Sequence, residues 1–197
     1  VEWVDLQNEF PLGNYTPGYE LIFGVSRDDR SPIQREWTDD ERQRAQGYLD
    51  AIAPLRARWP DLRYTVSYTS ILQVLDLDTS GFDLAEAHIW LGPLPPFSER
   101  TAHNPAMRME GHDACARHVE LVDEVYWDDR ETWCATLRGW MDILHGWAAD
   151  RGLPLVTTEG WASIHYDTHP TPSGRDPWDY IRDAADVAVD HAIEQGW

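Results

Sequence analysis

Lysine is absent from this chain: all 16 basic residues are arginine, and 35 acidic residues outnumber them. The resulting net charge is −19 at neutral pH. Because a surface this acidic repels phosphate backbones, nucleic acid is not expected as a partner. Two explanations of the composition stay open. One is adaptation to high salt, where an acidic surface keeps a protein dissolved, and the other is a GC-rich genome, which favours arginine codons.

Cysteine and long apolar runs are also scarce. Cys115 and Cys134 are too few and too far apart for a disulfide framework or a structural zinc site, so both are expected to be free or buried thiols. No apolar run approaches the roughly 20 residues of a membrane helix, so no membrane partner is expected. The chain shows no signal-peptide pattern, and its localisation and oligomeric state are left open.

Tryptophan is abundant, with 11 residues in a chain of 197. Flat aromatic faces pack on the apolar faces of pyranose rings, so an excess of tryptophan suits carbohydrate binding. Trp90, Trp127 and Trp161 are predicted to be such stacking platforms. Trp133 and Trp140 lie seven residues apart in a helical pattern and are predicted to be core residues.

Short apolar runs alternate with longer amphipathic stretches, a pattern that predicts βα units and a parallel sheet. Four strands are predicted, near residues 3–7, 62–68, 84–91 and 153–158. Helices are predicted from Thr38 to Pro60, from about Glu131 to Asp150, and from Asp176 and Pro177 onward. The polar segment from Pro95 to about Arg130 is predicted to be a solvated loop.

Functional side chains of parallel α/β proteins gather where the strands end. Glu9, Tyr68, His88, Trp90 and Glu159 all take such positions in the predicted strands. Glycoside hydrolysis requires two carboxyl groups, one protonated to assist the leaving oxygen and one ionised. Glu9 and Glu159 each close an apolar run and are therefore predicted to be this pair.

Four segments carry a family resemblance. WVDLQNEFPLG (3–13) resembles the Asn-Glu motif of the glycoside hydrolase clan whose catalytic glutamates lie on barrel strands four and seven. LVTTEGWASIHYD (155–167) is similar to the seventh-strand motif of the cellulase-like family in that clan. YTVSYTS (64–70) and AEAHIWLGP (85–93) resemble its fifth and sixth strands. The resemblance covers nearly the whole chain in matching order and spacing.

The resemblance implies a TIM (β/α)8 barrel, of which about four βα units (strands 4–7) are present, and retention of configuration without metal or cofactor. It implies that Glu9 is the acid/base, that Glu159 is the nucleophile and that Asn8 binds the sugar 2-hydroxyl. The further residues expected to bind substrate are Tyr68, His88, Trp90, Trp161 and His165. Trp90 departs from the clan, which often has an aromatic hydroxyl near strand six, and Tyr68 or Tyr166 is a possible substitute.

The length of the chain fits only part of such a barrel, which needs about 250 residues. We therefore expect residues 1–197 to be the C-terminal portion of one catalytic domain and to be inactive alone. The preferred function is a retaining hydrolase of β-linked glucan or a related saccharide. One alternative is a catalytically silent sugar-binding protein, and another is a metal-dependent hydrolase that uses His103, His112 and His118.

Overall fold

The chain folds into short parallel strands and helices in a computed structural model, which describes residues 3–6, 8–10, 18–24, 36–68, 75–103, 112–162 and 169–197. The described strands are β1 (Val4–Asp5), β2 (Tyr64–Thr65), β3 (Ser67–Tyr68), β4 (Ala85–Ala87), β5 (Ile89–Trp90), β6 (Leu155–Val156) and β7 (Gly160–Trp161). The described helices are α1 (Gly18–Phe23), α2 (Asp39–Leu49), α3 (Ile52–Arg58), α4 (Phe97–Arg100), α5 (His112–Asp128), α6 (Arg130–Asp150) and α7 (Asp179–Gln195).

The described residues form two compact units. The first comprises Val1–His88 and Leu144–Thr158, and the second comprises Ile89–Ile143 and Glu159–Trp197. In the first unit, β1 pairs with β2, and β4 lies between β3 and β6. In the second unit, β5 pairs with β7. All of these pairings are parallel, which confirms the predicted α/β class, whereas the barrel stays a prediction.

Aromatic side chains fill the core of the first unit. Tyr68 is fully buried, stacked on Phe82 at a centroid distance of 6.0 Å and in edge contact with Trp147 at 5.9 Å. Helix α2 begins as predicted, because Thr38 accepts the Glu41 N–H and the Glu41 carboxylate accepts the Thr38 N–H. This helical region ends earlier than predicted at Leu49, and α3 forms a separate helix as far as Arg58.

The core of the second unit is built around Trp133, which is 1% exposed. Its indole N–H donates to the Val125 carbonyl over 2.8 Å, and its ring meets Phe97 edge-on at 5.0 Å. At its periphery Asp183 accepts hydrogen bonds from Arg130 and Tyr126. The prediction that Trp133 is a core residue is confirmed, whereas Trp140 is only half-buried.

The prediction of a loop between residues 95 and 130 is wrong, because this segment contains the 17-residue helix α5. Its buried apolar residues recur at helical spacing: Cys115, Val119, Val122 and Tyr126. The many charged residues between them conceal this pattern in the sequence. Cys115 and Cys134 are free and buried, as predicted.

Helix α7 begins two residues later than predicted, at Asp179. Asp176 still contributes to its start, since its carboxylate accepts the Trp178 N–H over 3.0 Å. None of the helices within the described ranges combines the length and hydropathy that crossing a membrane requires.

Candidate functional site

Glu9 lies in a tight turn that follows β1, and its backbone adopts the left-handed conformation with φ of 58°. Its N–H donates to the Ser67 hydroxyl over 2.9 Å. Asp5 anchors Ser67 in turn, accepting the Ser67 N–H over 3.1 Å and its hydroxyl over 2.9 Å. The Glu9 side chain remains 24% exposed, so a ligand can reach its carboxylate.

His88 occupies the single position between β4 and β5, and its side chain is fully buried. Its Nδ1 atom lies 3.5 Å from Glu9 Oε1. Its Nε2 atom lies 3.6 Å from Glu86 Oε1 and 3.5 Å from the Thr158 hydroxyl. The imidazole therefore contacts one carboxylate on each side. The structure brings together two predicted site residues, His88 and Glu9.

Glu86 lies two residues before His88 on the same face of the strand and is 1% exposed. The Thr158 hydroxyl donates to its carboxylate. Burial raises the pKa of Glu86, but the adjacent His88 imidazole and the hydrogen bond from the Thr158 hydroxyl outweigh burial and hold the pKa below its ordinary value. A pKa lowered in this way favours the ionised form of Glu86, whose carboxylate lies beside the imidazole.

Glu159 follows Thr158 in the bend between β6 and β7, and it is exposed. The next residue is Gly160, where a Cβ atom would lie 3.3 Å from the Ile89 carbonyl oxygen, so that a larger residue would require the neighbouring strand to shift by a few tenths of an ångström. This close approach belongs to the parallel pairing of β5 with β7. Glu159, the predicted nucleophile, therefore lies in a short connection, and the next residue, Gly160, packs closely against β5.

The predicted stacking platforms differ in exposure. Trp161 is 7% exposed and packs near Trp197 at a centroid distance of 6.0 Å, while Trp90 is half-buried. Trp127 is half-buried as well, and the Arg175 guanidinium lies 5.2 Å above its ring. Trp90 and Trp127 thus present more surface to a ligand than Trp161 does.

Two of the remaining predicted contacts lie within the described residues, and their environments differ. Asn8 is exposed, directly before Glu9. Tyr68 lies wholly in the core, and its hydroxyl has no hydrogen-bond partner among the described residues, so this placement does not offer the side chain to a sugar. His165 and the alternative hydroxyl donor Tyr166 lie outside the described residues.

Three histidines were predicted as ligands in the alternative of a metal-dependent hydrolase, and one of them, His118, is buried and has a role in packing. His118 lies on α5, 2% exposed, with Nδ1 2.8 Å from the Thr101 carbonyl oxygen. Burial lowers its pKa, which favours the neutral imidazole. His103 meets this ring at a centroid distance of 5.5 Å, and the side chain of His112 lies outside the described set. These contacts make His118 part of the packing of the second unit.

Sequence reasoning missed Asp5, Ser67 and Glu86 as supports of the site. Glu86 could have been found, because an acidic residue inside an apolar run, two positions from a histidine, shares that histidine's face of the strand. Asp5 and Ser67 carry no comparable signal, since their contact joins positions 62 residues apart.

Comparison with solved structures returned the crystal structure of a "putative glycoside hydrolase" from Parabacteroides distasonis. It matches with a TM-score of 0.72 and 20% sequence identity, over 98% of this chain and 48% of that protein. The chain thus spans about half the length of that protein, and at this identity the likeness bears on the fold alone.

No curated protein sequence gives a significant match. A family model described as "Sugar-binding cellulase-like" does match, and the match extends over residues 1–197. Since this match includes every segment on which the sequence resemblance depends, the resemblance is confirmed, and the chain belongs to the sugar-binding cellulase-like family.

Proposed function

We propose that this chain supplies both catalytic carboxylates of a retaining glycoside hydrolase acting on β-linked glucan or a related saccharide. The observation that carries the proposal is the contact between Glu9 and His88, whose Oε1 and Nδ1 atoms are 3.5 Å apart. A partly exposed carboxylate beside a buried imidazole is a group that can hold and release a proton where a ligand can reach it.

In the proposed reaction, the Glu159 carboxylate attacks the anomeric carbon while Glu9 protonates the departing glycosidic oxygen. This step forms a covalent glycosyl-enzyme ester and breaks the glycosidic bond. Glu9, now ionised, removes a proton from water, which attacks the same carbon and releases Glu159. Two inversions leave the anomeric configuration unchanged.

Three features of the chain support these roles. The Glu9 backbone N–H donates to the Ser67 hydroxyl, and this hydrogen bond fixes the point from which the Glu9 side chain extends. Glu159 is exposed, as an attacking group must be, and it follows a threonine that is tied to the buried Glu86. Exposed Asn8 is proposed to bind the sugar 2-hydroxyl, and half-buried Trp90 to stack on a sugar ring.

A silent sugar-binding protein is the second candidate, and one observation favours it. Position 90 is tryptophan, whereas the clan often has there an aromatic hydroxyl that orients the nucleophile. Trp90 offers an indole N–H instead of a hydroxyl, and this donor lies at a different position on its ring. Such a protein would keep the sugar contacts without forming a covalent intermediate.

The experiment is covalent trapping in the full-length polypeptide that contains this chain. Dinitrophenyl 2-deoxy-2-fluoro-β-glycosides of several sugars are added, and the labelled peptide is identified by mass spectrometry. We expect the label on Glu159 and its loss in Glu159→Gln. Glu9→Gln should still be labelled, because dinitrophenolate leaves without protonation, but should lose about 10²–10⁴-fold in turnover of alkyl glycosides.

The outcomes separate the candidates. A label on another residue, or full turnover by Glu159→Gln, would contradict the assignment of the nucleophile. Binding of oligosaccharides by calorimetry with no label for any sugar would instead support the silent sugar-binding protein.

A further inference from the structure

Glu86 is a buried acidic residue that the proposed reaction does not use. A carboxylate that is 1% exposed is costly to keep ionised unless donors surround it. Its neighbours on β4, Ala85 and Ala87, are small and offer only methyl groups. The donors to the Glu86 carboxylate therefore come from residues outside β4, and their arrangement indicates the role of Glu86.

The Thr158 hydroxyl fixes the direction of one hydrogen bond. It carries a single proton, and that proton is donated to Glu86, because an ionised carboxylate can only accept. The oxygen of the same hydroxyl can then only accept from His88 Nε2, which lies 3.5 Å away. The chain of donors therefore runs from His88 through Thr158 to Glu86.

This direction determines which nitrogen of His88 carries the proton. Nε2 must be protonated in order to donate, and the Glu86 charge 3.6 Å away favours a proton there as well. In the neutral imidazole, Nδ1 is then an acceptor. Nδ1 is the atom that lies 3.5 Å from Glu9 Oε1.

An acceptor nitrogen facing a carboxylate oxygen is favourable only when one proton lies between them. Either Glu9 is protonated and donates to Nδ1, or His88 is doubly protonated and donates to Glu9. Each arrangement keeps a proton at the position from which Glu9 would deliver it to a leaving group.

We propose that Glu86 is a positioning residue that, through Thr158, fixes the Nε2–H tautomer of His88 and so keeps a transferable proton between His88 and Glu9. The role of this proton in catalysis rests on the proposed function. The tautomer itself does not, since it follows from contacts among Glu86, Thr158, His88 and Glu9 within one compact unit.

The first test measures the tautomer directly, by long-range proton–nitrogen NMR of histidine labelled with nitrogen-15 in the full-length polypeptide. His88→Gln assigns the His88 signals. We expect a protonated Nε2 in the wild type and a shift of the proton toward Nδ1 in Glu86→Gln, whose amide can donate to Thr158 and release the hydroxyl proton. A wild type with unprotonated Nε2 would overturn the proposal.

Matched threonine variants control for simple loss of structure. Thr158→Val removes the linking hydroxyl at constant shape and should change the Nε2 signal, while Thr158→Ser should restore it. Thr157→Val is the control, because the Thr157 hydroxyl donates to the Ala87 carbonyl and does not belong to the chain of donors. An unchanged Nε2 signal in both Glu86→Gln and Thr158→Val would contradict the proposal even if both variants fold.

The second test measures the dependence on leaving group. Glu86→Gln should lower kcat/KM, which reports the first, glycosylation step, by about 100-fold for an alkyl glycoside and leave it nearly unchanged for the dinitrophenyl glycoside, because in that step only the alkyl leaving group needs the proton. Equal losses on both substrates would contradict a role in protonation. If the wild type hydrolyses neither substrate, the proposed function fails, and the tautomer measurement still decides the inference about Glu86.

Discussion

The backbone N–H of Glu9 donates to the Ser67 hydroxyl over 2.9 Å while Glu9 itself adopts a left-handed backbone with φ of 58°. A non-glycine residue in this region costs roughly 1–2 kcal/mol. The hydrogen bond to Ser67, which Asp5 anchors, offsets part of this cost. Strain of this kind persists at sites where a side chain has to take one particular direction. Here the direction brings the Glu9 carboxylate to His88.

The backbone of Glu9 leads to a first prediction, about stability. Glu9→Gly and Glu9→Ala both delete the carboxylate and its contact with His88, so their difference isolates the backbone conformation. Glycine adopts positive φ without strain, so Glu9→Gly should be more stable than Glu9→Ala by about 1 kcal/mol. The free energy of unfolding in urea measures this difference. Equal stability, or a more stable Glu9→Ala, would show that the backbone at Glu9 is unstrained.

Asp183 leads to a prediction about pH. Burial raises its pKa, but hydrogen bonds from Arg130 and Tyr126 outweigh burial and hold the pKa below its ordinary value. A carboxyl group whose pKa is lowered by folding contributes stability above its unfolded pKa, and this contribution is lost as pH falls through the folded pKa. The Arg130 bonds at 2.7 and 2.9 Å make this the best-paired carboxylate of α7.

We therefore expect Asp183→Asn to be less stable than the wild type by about 2 kcal/mol near pH 7. The gap should narrow below about pH 4 as the wild-type carboxyl group becomes protonated. Urea denaturation at several pH values measures the gap. Asp179→Asn is the control, since Asp179 contacts Arg182 through an exposed ion pair and its substitution should change little at any pH. A gap independent of pH would contradict the prediction.

Two tryptophans of the second unit differ in burial and therefore in their expected contribution to stability. Trp133 is 1% exposed and Trp178 is 37% exposed. Trp133→Ala should lower the free energy of unfolding by about 3–5 kcal/mol, because it leaves a cavity and removes the donor to Val125. Trp178→Ala should change it by about 0.5 kcal/mol or less. Denaturant titration of both variants makes the comparison, and similar losses would mean that burial does not distinguish these positions.

Local patterns in the sequence predicted local features correctly. The capping box at Thr38 and Glu41, the strand near residues 62–68 and the core position of Trp133 follow from short-range hydrogen bonding and periodicity. Periodicity failed where charge concealed it, as in α5. Periodicity also predicted one helix where the structure has α2 and α3. The apolar spacing continues across Asp50 and Ala51, whereas the α-helix is interrupted there.

The parallel α/β class could be predicted from the sequence alone, as could the family and the position of Glu9 beyond an apolar strand, because these depend on residue order and on contacts near in the chain. The residues that support Glu9 could not, because they come together only through contacts between distant segments. Pairing of β4 with β6 places Glu86 opposite Val156 and brings the Thr158 hydroxyl to the Glu86 carboxylate, across 72 residues of sequence. The register of that pairing joins positions far apart in the sequence, so no local pattern encodes it.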